Sequence, residues 1–511
     1  MIFEPSDIRG DISENVDVCV IGSGAGGAVV AKEMAEAGRS VVVLEEGGNF
    51  TRRDYGRPLE MFNKMYRCMS QVFMLGVPPF LLSLGKTVGG TTTVNSHTMF
   101  RVPEHVLAGW RERFGLTHLT PESLEPVYQK VEKYLNVHEA EMEYIGNNGR
   151  FFLEGARKLG YSAGLLMKNT RGCRGLGTCQ YGCPIDAKQS MGVTYIPDAV
   201  KAGASVYSHA RADVIYTDGG RAKGVSGVIR GNNDVEHKIE VDADIVVVAA
   251  GAIHTPSLLM KNKLANSSGK VGKNLVVHPV SRLWALYDEQ VNMMNGISQG
   301  VYVDEFESDG YFLEEITYPP EIVSIAAPPF VGREHKEFMS RYRHLSSFGV
   351  ICWDDASGRV INNPLSREPV VVYQASKKDI RKLADGNKGA AEIFFAAGAR
   401  KVWTNIQGYT EFNSQGELDG FNTGKVKGTH YDVLMAFHPQ GTCPMGTDPR
   451  ESVVSPSGEC HDVAGLYIAD ASILPTSVER NPQLAINVLA TLVAENIEAA
   501  LEKSRGALVE S

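Results

Sequence analysis

The sequence predicts an α/β protein in which a discontinuous domain, built on parallel strands, is interrupted by a second domain. Three observations predict this class: a strand–turn–helix–strand unit over residues 16–44, a further buried strand at 245–250, and an apolar helix after Pro482. Short apolar runs beside predicted helices are typical of parallel strands that are covered on both faces. Strand-like segments dominate between residues 276 and 430, so we place the second domain there.

Helical spacing and alternating apolar patterns assign the segments along the chain to helices or strands. In chain order they are a strand at 16–21, a helix at 28–37, a strand at 40–44, helices at 121–137 and 195–202, strands at 205–208, 225–229, 238–241 and 245–250, a helix at 255–261, strands at 370–375 and 401–409, and a helix from 482 to about 503.

A glycine-rich turn follows the first strand and opens the first helix. Its pattern is Gly22-x-Gly24-x-x-Gly27, and Glu45 lies 18 residues after the last glycine, at the end of the next strand. In a Rossmann-like unit the first glycine permits the tight turn, the second admits a pyrophosphate and the third lets the helix pack closely on the strand. The acidic residue then lies where a ribose diol binds. The pattern predicts a dinucleotide site but does not choose between NAD and FAD.

Charge and apolar segments exclude some functions. The 511 residues carry 51 Lys and Arg against 60 Asp and Glu, a net charge of −9, which disfavours a nucleic-acid groove. The first 17 residues are acidic and polar, without the basic and apolar parts of a secretory signal, so we expect a cytoplasmic protein. Residues 68–85 are uncharged but contain Pro78 and Pro79. We therefore expect a buried lid-like segment or an apolar surface patch there, and no transmembrane span.

Four further blocks stand in a fixed order along the chain. They are a Gly/Thr-rich segment at 85–95 that ends at Asn95, the strand and Gly-Ala turn at 246–259, the segment 438–446 that begins with His438, and the segment 465–475 followed by Asn481 and Pro482. Together with the glycine-rich turn, these blocks closely resemble the glucose–methanol–choline (GMC) oxidoreductases, a flavoprotein family. The resemblance covers almost the whole chain.

The resemblance implies FAD as the cofactor. It also implies a discontinuous Rossmann-like FAD-binding domain and an α+β substrate domain with an antiparallel sheet. The corresponding ranges are 1–105 for the first part of the FAD domain, 106–189 for a substrate or cap region, 190–275 for the second part of the FAD domain, 276–430 for the substrate domain and 431–511 for the third part of the FAD domain.

Members of this family oxidise alcohols to carbonyls, and the resemblance places the catalytic pair at His438 and Asn481. An imidazole suits this chemistry, because removing a hydroxyl proton needs a base that is neutral near physiological pH. The expected FAD-binding residues are Gly22, Gly24, Gly27, Glu45, Gly89, Gly90, Thr91, Asn95, Val214 (through its backbone), Ala250, Asp470, Ala471 and Pro482. Some relatives attach flavin covalently through a histidine near the Asn95 block, but the spacing of His97 does not match, so we expect non-covalent FAD.

Three cysteines lie close together in the predicted cap region. Cys173, Cys179 and Cys183, which Pro184 follows, resemble the ligands of a three-iron cluster (3Fe-4S) in iron–sulfur flavin glucose dehydrogenases, and similar text occurs in the long-chain alcohol oxidase branch. Structural thiols or a loop disulfide are an equally open interpretation. Zinc is less natural, since three ligands leave a tetrahedral site one short.

The substrate hints favour a lipophilic alcohol. Segments 91–107, 187–200 and 341–360 look most like the long-chain alcohol oxidase and cholesterol oxidase branches. The expected partners are therefore a small-molecule alcohol and either dioxygen or an electron carrier as acceptor. An iron–sulfur sugar dehydrogenase is the alternative enzyme, and a flavoprotein that has lost catalysis is disfavoured by the intact His438 and Asn481.

Overall fold

The computed structural model describes residues 1–355 and 358–509, with side chains through Arg505 at the C-terminal end. Its helices are α1 (Gly27–Glu36), α2 (Pro58–Met65), α3 (Glu104–Phe114), α4 (Pro121–Leu135), α5 (Asn147–Leu159), α6 (Tyr195–Lys201), α7 (Gly251–Asn262), α8 (Pro320–Ala326), α9 (Arg333–Ser340), α10 (Lys377–Ala396), α11 (Gln415–Asp419) and α12 (Gln483–Val509). Its strands are β1 (Ile2–Phe3), β2 (Ile12–Ile21), β3 (Val41–Leu44), β4 (Val72–Leu75), β5 (Phe80–Leu82), β6 (Val137–Glu139), β7 (Ala163–Leu165), β8 (Met167–Asn169), β9 (Ser205–Tyr207), β10 (Ala210–Asp218), β11 (Arg221–Arg230), β12 (Glu236–Val248), β13 (Val280–Leu286), β14 (Val301–Val303), β15 (Tyr311–Glu315), β16 (Leu345–Cys352), β17 (Arg359–Ile361), β18 (Val370–Val372), β19 (Lys401–Thr404), β20 (Glu411–Phe412), β21 (Leu434–Ala436) and β22 (Leu466–Ile468).

The first sheet is the predicted parallel sheet. Its order is β1-β9-β3-β2-β12-β11-β10, with β22 also beside β12. The pairs from β1 to β12, and the pair of β12 with β22, are parallel, whereas β10, β11 and β12 form an antiparallel meander. Helix α1 follows β2 and is buried along most of its length, as the strand–turn–helix pattern predicts. The α/β class with a Rossmann-like domain is confirmed.

The longest strand of this sheet differs from the prediction. We expected separate strands at 238–241 and 245–250, but Glu236–Val248 is one continuous strand. Asp242 and Asp244 interrupt the apolar pattern, yet both are exposed while Ala243 between them is buried. Because side chains of a strand alternate between faces, these polar residues occupy the solvent face and the strand continues through them. Its final residues pair with β22, beyond the point where the pairing with β11 stops.

The second sheet is the central sheet of the predicted substrate domain. Its main path is β17-β18-β4-β5-β21-β13-β16-β15-β14-β7, and β19 and β20 extend it from β13. The strands pair antiparallel, as expected, except for β18 with β4 and β21 with β5. A second core lies between this sheet and helices α5 and α10, around the rings of Phe152, Phe348 and Phe394.

The cores divide the chain differently from the five sequence ranges, which stay a prediction. Strands β4 and β5, from the first range, join the second sheet, whereas α3 and α4, from the second range, pack in the first core. The uncharged segment 68–85 contains the β4–β5 hairpin. One side of it is buried, with Met74 and Phe80 at 0% exposure, while Phe73 and Leu75 are each 58% exposed. The segment is therefore a sheet hairpin with an apolar outer surface.

Helix α12 begins at Gln483, one residue after the predicted start, and the amide of Ile486 donates to the carbonyl of Pro482. By length and composition alone, this helix is long and apolar enough to cross a membrane, and no other helix among the described residues is. Most of its apolar side chains, such as Leu484 and Val488, are buried in the first core beside α1. The helix thus packs in the core of the domain built on the first sheet, and its first residues, Gln483 and Ile486, line the cavity described below.

Candidate active site

One cavity of about 560 Å³ lies between the two sheets. The backbone of residues 22–26 lines one end, and His438, Asn481 and Glu314 line the other. The loop over residues 90–98 lies along the same cavity. Elements that are far apart in the chain, and that the sequence predicts to serve the same cofactor, therefore border one continuous space.

The glycine-rich turn packs so tightly that side chains do not fit. A Cβ atom on Gly26 would lie 1.7 Å from the carbonyl oxygen of Ala469, and one on Gly27 would lie 2.0 Å from the carbonyl oxygen of Gly22. Gly22 also has a φ of +100°, which favours glycine. Gly24 faces open space, since the nearest atom to a Cβ there is the Cα of Gly90 at 3.9 Å. Bare backbone is thereby presented to the cavity where a pyrophosphate would bind.

Glu45 closes this end of the cavity. One carboxylate oxygen accepts hydrogen bonds from the amide (3.0 Å) and the hydroxyl (2.6 Å) of Ser23, and the other accepts from the amide of Gly47 (2.7 Å). Burial raises the pKa of this carboxyl group, although these hydrogen bonds act in the opposite direction. The carboxylate thus fixes the turn while one edge lines the cavity.

Most of the predicted FAD residues line this cavity, but three do not. Gly27 and Gly89 are packed behind its wall, where the amide of Gly89 donates to Ser23 Oγ at 3.0 Å. Val214 is 46% exposed and lies outside the lining, which residues 210–213 provide instead. A register shift between Ala212 and Val214 changes the direction of the chain at this point. The residues that do line it are Gly22, Gly24, Glu45, Gly90, Thr91, Asn95, Ala250, Asp470, Ala471 and Pro482.

Asp470 connects the strand β22 to the start of α7. Its carboxylate accepts hydrogen bonds from the amide of Gly251 (2.8 Å), the amide of Ser472 (2.7 Å) and the hydroxyl of Thr255. Burial raises its pKa. These contacts use both oxygens, so Asp470 orders the backbone around the cavity.

The structure brings the predicted pair His438 and Asn481 together. Nε2 of His438 lies 3.3 Å from Nδ2 of Asn481, although the two residues are 43 positions apart. Desolvation lowers the pKa of His438 to about 4, so its imidazole is neutral at physiological pH. The amide nitrogen is a donor, so this contact requires the lone pair of Nε2 and leaves the proton of the ring on Nδ1.

A second histidine holds the far side of this ring. The Nδ1 atoms of His278 and His438 lie 3.2 Å apart, and Nε2 of His278 lies 2.7 Å from Ser477 Oγ. The carboxylate of Asp354 accepts hydrogen bonds from the backbone amides of Val277 (3.2 Å) and His278 (2.9 Å) and so fixes the backbone of His278. The side-chain amide nitrogen of Gln440 also lies 3.1 Å from Nε2 of His278. His278 thus contacts the ring of His438 at Nδ1, the nitrogen that does not face Asn481, and positions it.

A buried charged pair lies on the other side of Asn481. Nδ2 of Asn481 is 3.4 Å from both carboxylate oxygens of Glu314, which has 0% exposure. The hydroxyl of Thr98 donates to Glu314 at 3.2 Å and accepts from Nζ of Lys168 at 3.0 Å. Burial lowers the pKa of Lys168 to about 8, and burial raises that of Glu314. Each charge compensates the other across one hydroxyl group.

Unpartnered polar atoms show that this end of the cavity fits a polar ligand. Oδ1 of Asn481 and Nε2 of Gln483 are buried and have no hydrogen-bond partner among the described contacts, and both residues line the cavity. The same holds for both ring nitrogens of His97. Together with the bare glycine backbone at the opposite end, these atoms fit the polar flavin edge and the diphosphate of FAD.

The cysteine prediction finds no support in the structure. Among the described residues no three His, Cys, Asp or Glu side chains form a group that could hold a metal ion. Cys173, Cys179 and Cys183 are free thiols, and only Cys179 is buried. The loop is organised instead by Lys188, whose Nζ donates to the carbonyls of Thr93 (2.6 Å), Asn95 (3.0 Å) and Cys179.

The sequence reasoning missed Glu314, His278, Lys168 and Arg282. Glu314 had a usable signal, because it belongs to an acidic pair in a strand that is otherwise aromatic and aliphatic. His278 comes just before Pro279 at the start of a buried strand but has no motif of its own. The two basic residues gave no signal, since a lysine or arginine in a strand is ordinarily solvent-exposed.

Comparisons with known proteins identify the family of this chain. Family models described as GMC oxidoreductase match residues 17–280 and 357–490. An uncharacterized GMC-type oxidoreductase of Mycobacterium tuberculosis (strain ATCC 25618 / H37Rv) is 38% identical over 94% of this chain and 76% of its own length. A long-chain-alcohol oxidase of Arabidopsis thaliana is 27% identical over 96% of this chain and 67% of its own.

A solved structure shares the fold. A formate oxidase of Aspergillus oryzae RIB40, with a mutation studied for its effect on FAD modification, superposes with a TM-score of 0.74 at 15% identity. The match covers 96% of this chain and 99% of that one. Because the family models span most of the chain, and a relative above one-third identity spans nearly all of it, this protein belongs to the GMC oxidoreductase family of FAD-dependent oxidoreductases.

Proposed function

We propose that this protein oxidises the hydroxyl group of a lipophilic alcohol to a carbonyl, with His438 as the base and non-covalent FAD as the cofactor. The observation that carries the proposal is the position of Nε2 of His438 beside Asn481, in the same cavity that the glycine-rich turn borders. FAD supplies the electron-pair acceptor that takes a hydride from the carbon bearing the hydroxyl.

The chain's own residues handle the proton. His438 is neutral because burial lowers its pKa to about 4, so Nε2 accepts the hydroxyl proton as the hydride leaves. His278 contacts Nδ1 of the same ring at 3.2 Å and so holds the imidazole in place. Asn481 contacts Nε2 from one side and Glu314 from the other, and its free Oδ1 is available to a bound ligand. Loss of one proton and one hydride converts the alcohol to the carbonyl.

The lining of the cavity supports a lipophilic substrate. Beyond His438 the wall includes Ile316, Ile351 and Phe437. At its rim Leu59 and Ile325 are exposed, at 43% and 65% of their surface, and also line the cavity. The relatedness to a long-chain-alcohol oxidase supports the same substrate class. The electron acceptor in the second half-reaction is dioxygen or an electron carrier.

Anaerobic bleaching of the flavin absorbance tests the proposal directly. The purified holoprotein is mixed with long-chain alcohols, sterols and sugars in a stopped-flow instrument, and we expect rapid bleaching by the lipophilic alcohols. His438→Ala should keep bound FAD but slow bleaching by about 100-fold or more, the range for loss of a general base. The control is His335→Ala, which removes an imidazole from α9, outside the cavity lining. An unchanged rate in His438→Ala contradicts the assignment.

A further inference from the structure

The wall of the cavity contains a guanidinium group that no carboxylate of the described residues contacts directly. Arg282 lies on β13 and lines the cavity. Its Nε donates to the carbonyl of Ala326 at 3.0 Å, and its Nη1 contacts Sδ of Met435 at 3.1 Å. Among the described residues, Nη2 has no hydrogen-bond partner and no Asp or Glu oxygen lies within 4.0 Å of this side chain.

Arg282 is half-buried at the wall of the cavity. Desolvation lowers the pKa of the guanidinium, and the charges of Tyr318 and Asp432 act in the opposite direction. Taking a cation out of water without a partner is costly, and buried charges in proteins are ordinarily paired. One contact to a carbonyl and one to a thioether do not supply that compensation. An anion inside the cavity would supply it.

The register of the second sheet places Arg282 in a row with Glu314. Arg282 is opposite Gly349 across β13 and β16, and Gly349 is opposite Glu314 across β16 and β15. Directly opposed residues of antiparallel strands point to the same face, so both charged side chains face the cavity. Two strand spacings separate their backbones by about 10 Å.

The glycine between them is covered by two apolar side chains. A Cβ atom on Gly349 would lie 2.4 Å from Cδ1 of Ile316 and 3.2 Å from Cγ1 of Val280, both of which line the cavity. The row therefore consists of a carboxylate, a glycine covered by Ile316 and Val280, and a guanidinium. Apolar side chains flank the row, so a bound molecule meets hydrocarbon between its polar ends.

The two charges in the row differ in their compensation. Glu314 has the ammonium group of Lys168 across Thr98 and the amide of Asn481. Among the described residues no carboxylate contacts Arg282 directly, although Asp432 acts on it through space, and its backbone lies about 10 Å along the row from that of Glu314. One guanidinium matches a monoanion, and its planar donors match a carboxylate in particular.

We propose that this cavity binds an alcohol that also carries a carboxylate, with the hydroxyl at His438 and Asn481 and the carboxylate on Arg282. The inference rests on the proposed alcohol oxidation and specifies its substrate class as a lipophilic hydroxy acid. Met435, whose sulfur contacts Arg282, lies three residues before His438, so the backbones of these two residues are within about 10 Å of each other. Arg282 determines specificity and has no part in the proton transfer.

The first experiment compares each hydroxy acid with its own methyl ester, which has the same hydroxyl and chain but no charge. The holoprotein should show a kcat/KM about 10- to 100-fold higher for the acid, the size expected for a charge-assisted hydrogen bond. In Arg282→Met that ratio should fall toward one through a rise in KM for the acid, and Arg282→Lys should keep part of it. Arg341→Met, an exposed arginine outside the cavity lining, is the matched control and should keep the full ratio. An acid-to-ester ratio near one in the unaltered protein overturns the proposal.

The second experiment measures binding without turnover. Titration calorimetry of the holoprotein with a saturated carboxylate that lacks the hydroxyl should give binding that is lost in Arg282→Met and kept in Arg341→Met. If Arg282→Met does not fold, Arg282→Lys and the acid-to-ester ratio decide. If no alcohol bleaches the flavin but the carboxylate still binds through Arg282, alcohol oxidation fails and the anion site stands. If alcohols bleach the flavin but neither ratio nor binding depends on Arg282, the anion site fails and alcohol oxidation stands.

Discussion

The Nδ1 atoms of His278 and His438 lie 3.2 Å apart, which makes one imidazole the orienting partner of the other. Because Asn481 donates toward Nε2 of His438, the basic lone pair of that ring is at Nε2, the nitrogen beside Asn481. The ring of His438 is thus held at both nitrogens, one by an imidazole and one by an amide. The first two predictions therefore test the protonation state of His438.

The first prediction concerns pH. His438 acts when deprotonated, and burial lowers its pKa to about 4. The rate of flavin reduction by alcohol should therefore be constant at neutral pH and fall as the pH decreases through about 4. Stopped-flow reduction across the acid range measures this limb. A limb centred near 6.5, the ordinary value for histidine, contradicts the buried environment seen here.

The second prediction concerns the charge at position 481. Asn481→Asp places a carboxylate at the position of an amide that is 3.3 Å from Nε2 of His438. A neighbouring negative charge favours the imidazolium, so the acid limb should move up by about 1 to 3 pH units. Asn481→Ala is the matched control, since it removes the same contact without adding charge and should leave the limb near its original position. The pH profile of flavin reduction in both variants decides, and equal limbs in the two contradict the prediction.

The third prediction concerns the buried pair of Lys168 and Glu314. Lys168→Met leaves the Glu314 carboxylate without its counter-charge and should destabilise the protein by about 3–5 kcal/mol. The double variant with Glu314→Gln should recover part of this loss, because the unpaired charge is then gone. Recovery is partial, since Lys168 also donates to the carbonyls of Ser96 (2.9 Å) and Ser298 (3.2 Å).

Thermal unfolding of the holoprotein measures these differences. The surface control is Lys130→Met. The ammonium group of Lys130 pairs with Glu33 at 2.7 Å, and the side chain of Lys130 is 48% exposed. Exposed pairs contribute about 1 kcal/mol or less, so its midpoint should barely move. A double variant that is less stable than Lys168→Met contradicts the assigned charge pairing.

The fourth prediction compares two glycines in or beside helices. Gly26→Ala puts a Cβ atom 1.7 Å from the carbonyl oxygen of Ala469 and should cost about 2 kcal/mol or more, with loss of bound FAD. Gly109→Ala, in α3, meets no atom within 4 Å and should stabilise the protein by about 0.5–1 kcal/mol. Thermal midpoints and the FAD-to-protein absorbance ratio measure both. Retained FAD in Gly26→Ala contradicts the close packing at the turn.

Local patterns in the sequence determined the first domain. Apolar runs and glycine spacing report contacts within one β-α-β unit, and the structure shows why those glycines are required: side chains at Gly26 and Gly27 would overlap backbone carbonyls. The resemblance of separated blocks also predicted that the chain binds FAD and belongs to its family, and it named His438 and Asn481. The spacing of three cysteines was less informative, because ligand types in a sequence do not fix whether a loop brings the thiols together.

Only the tertiary structure decided which charges meet at the site. Glu314 contacts Asn481 across 167 residues of chain, and Arg282 shares its row only through the register of β13, β16 and β15. Register depends on pairing between distant strands, which no local periodicity records. The same reason explains why two predicted strands are one in β12, where pairing with β2 along its length outweighs the two exposed aspartates.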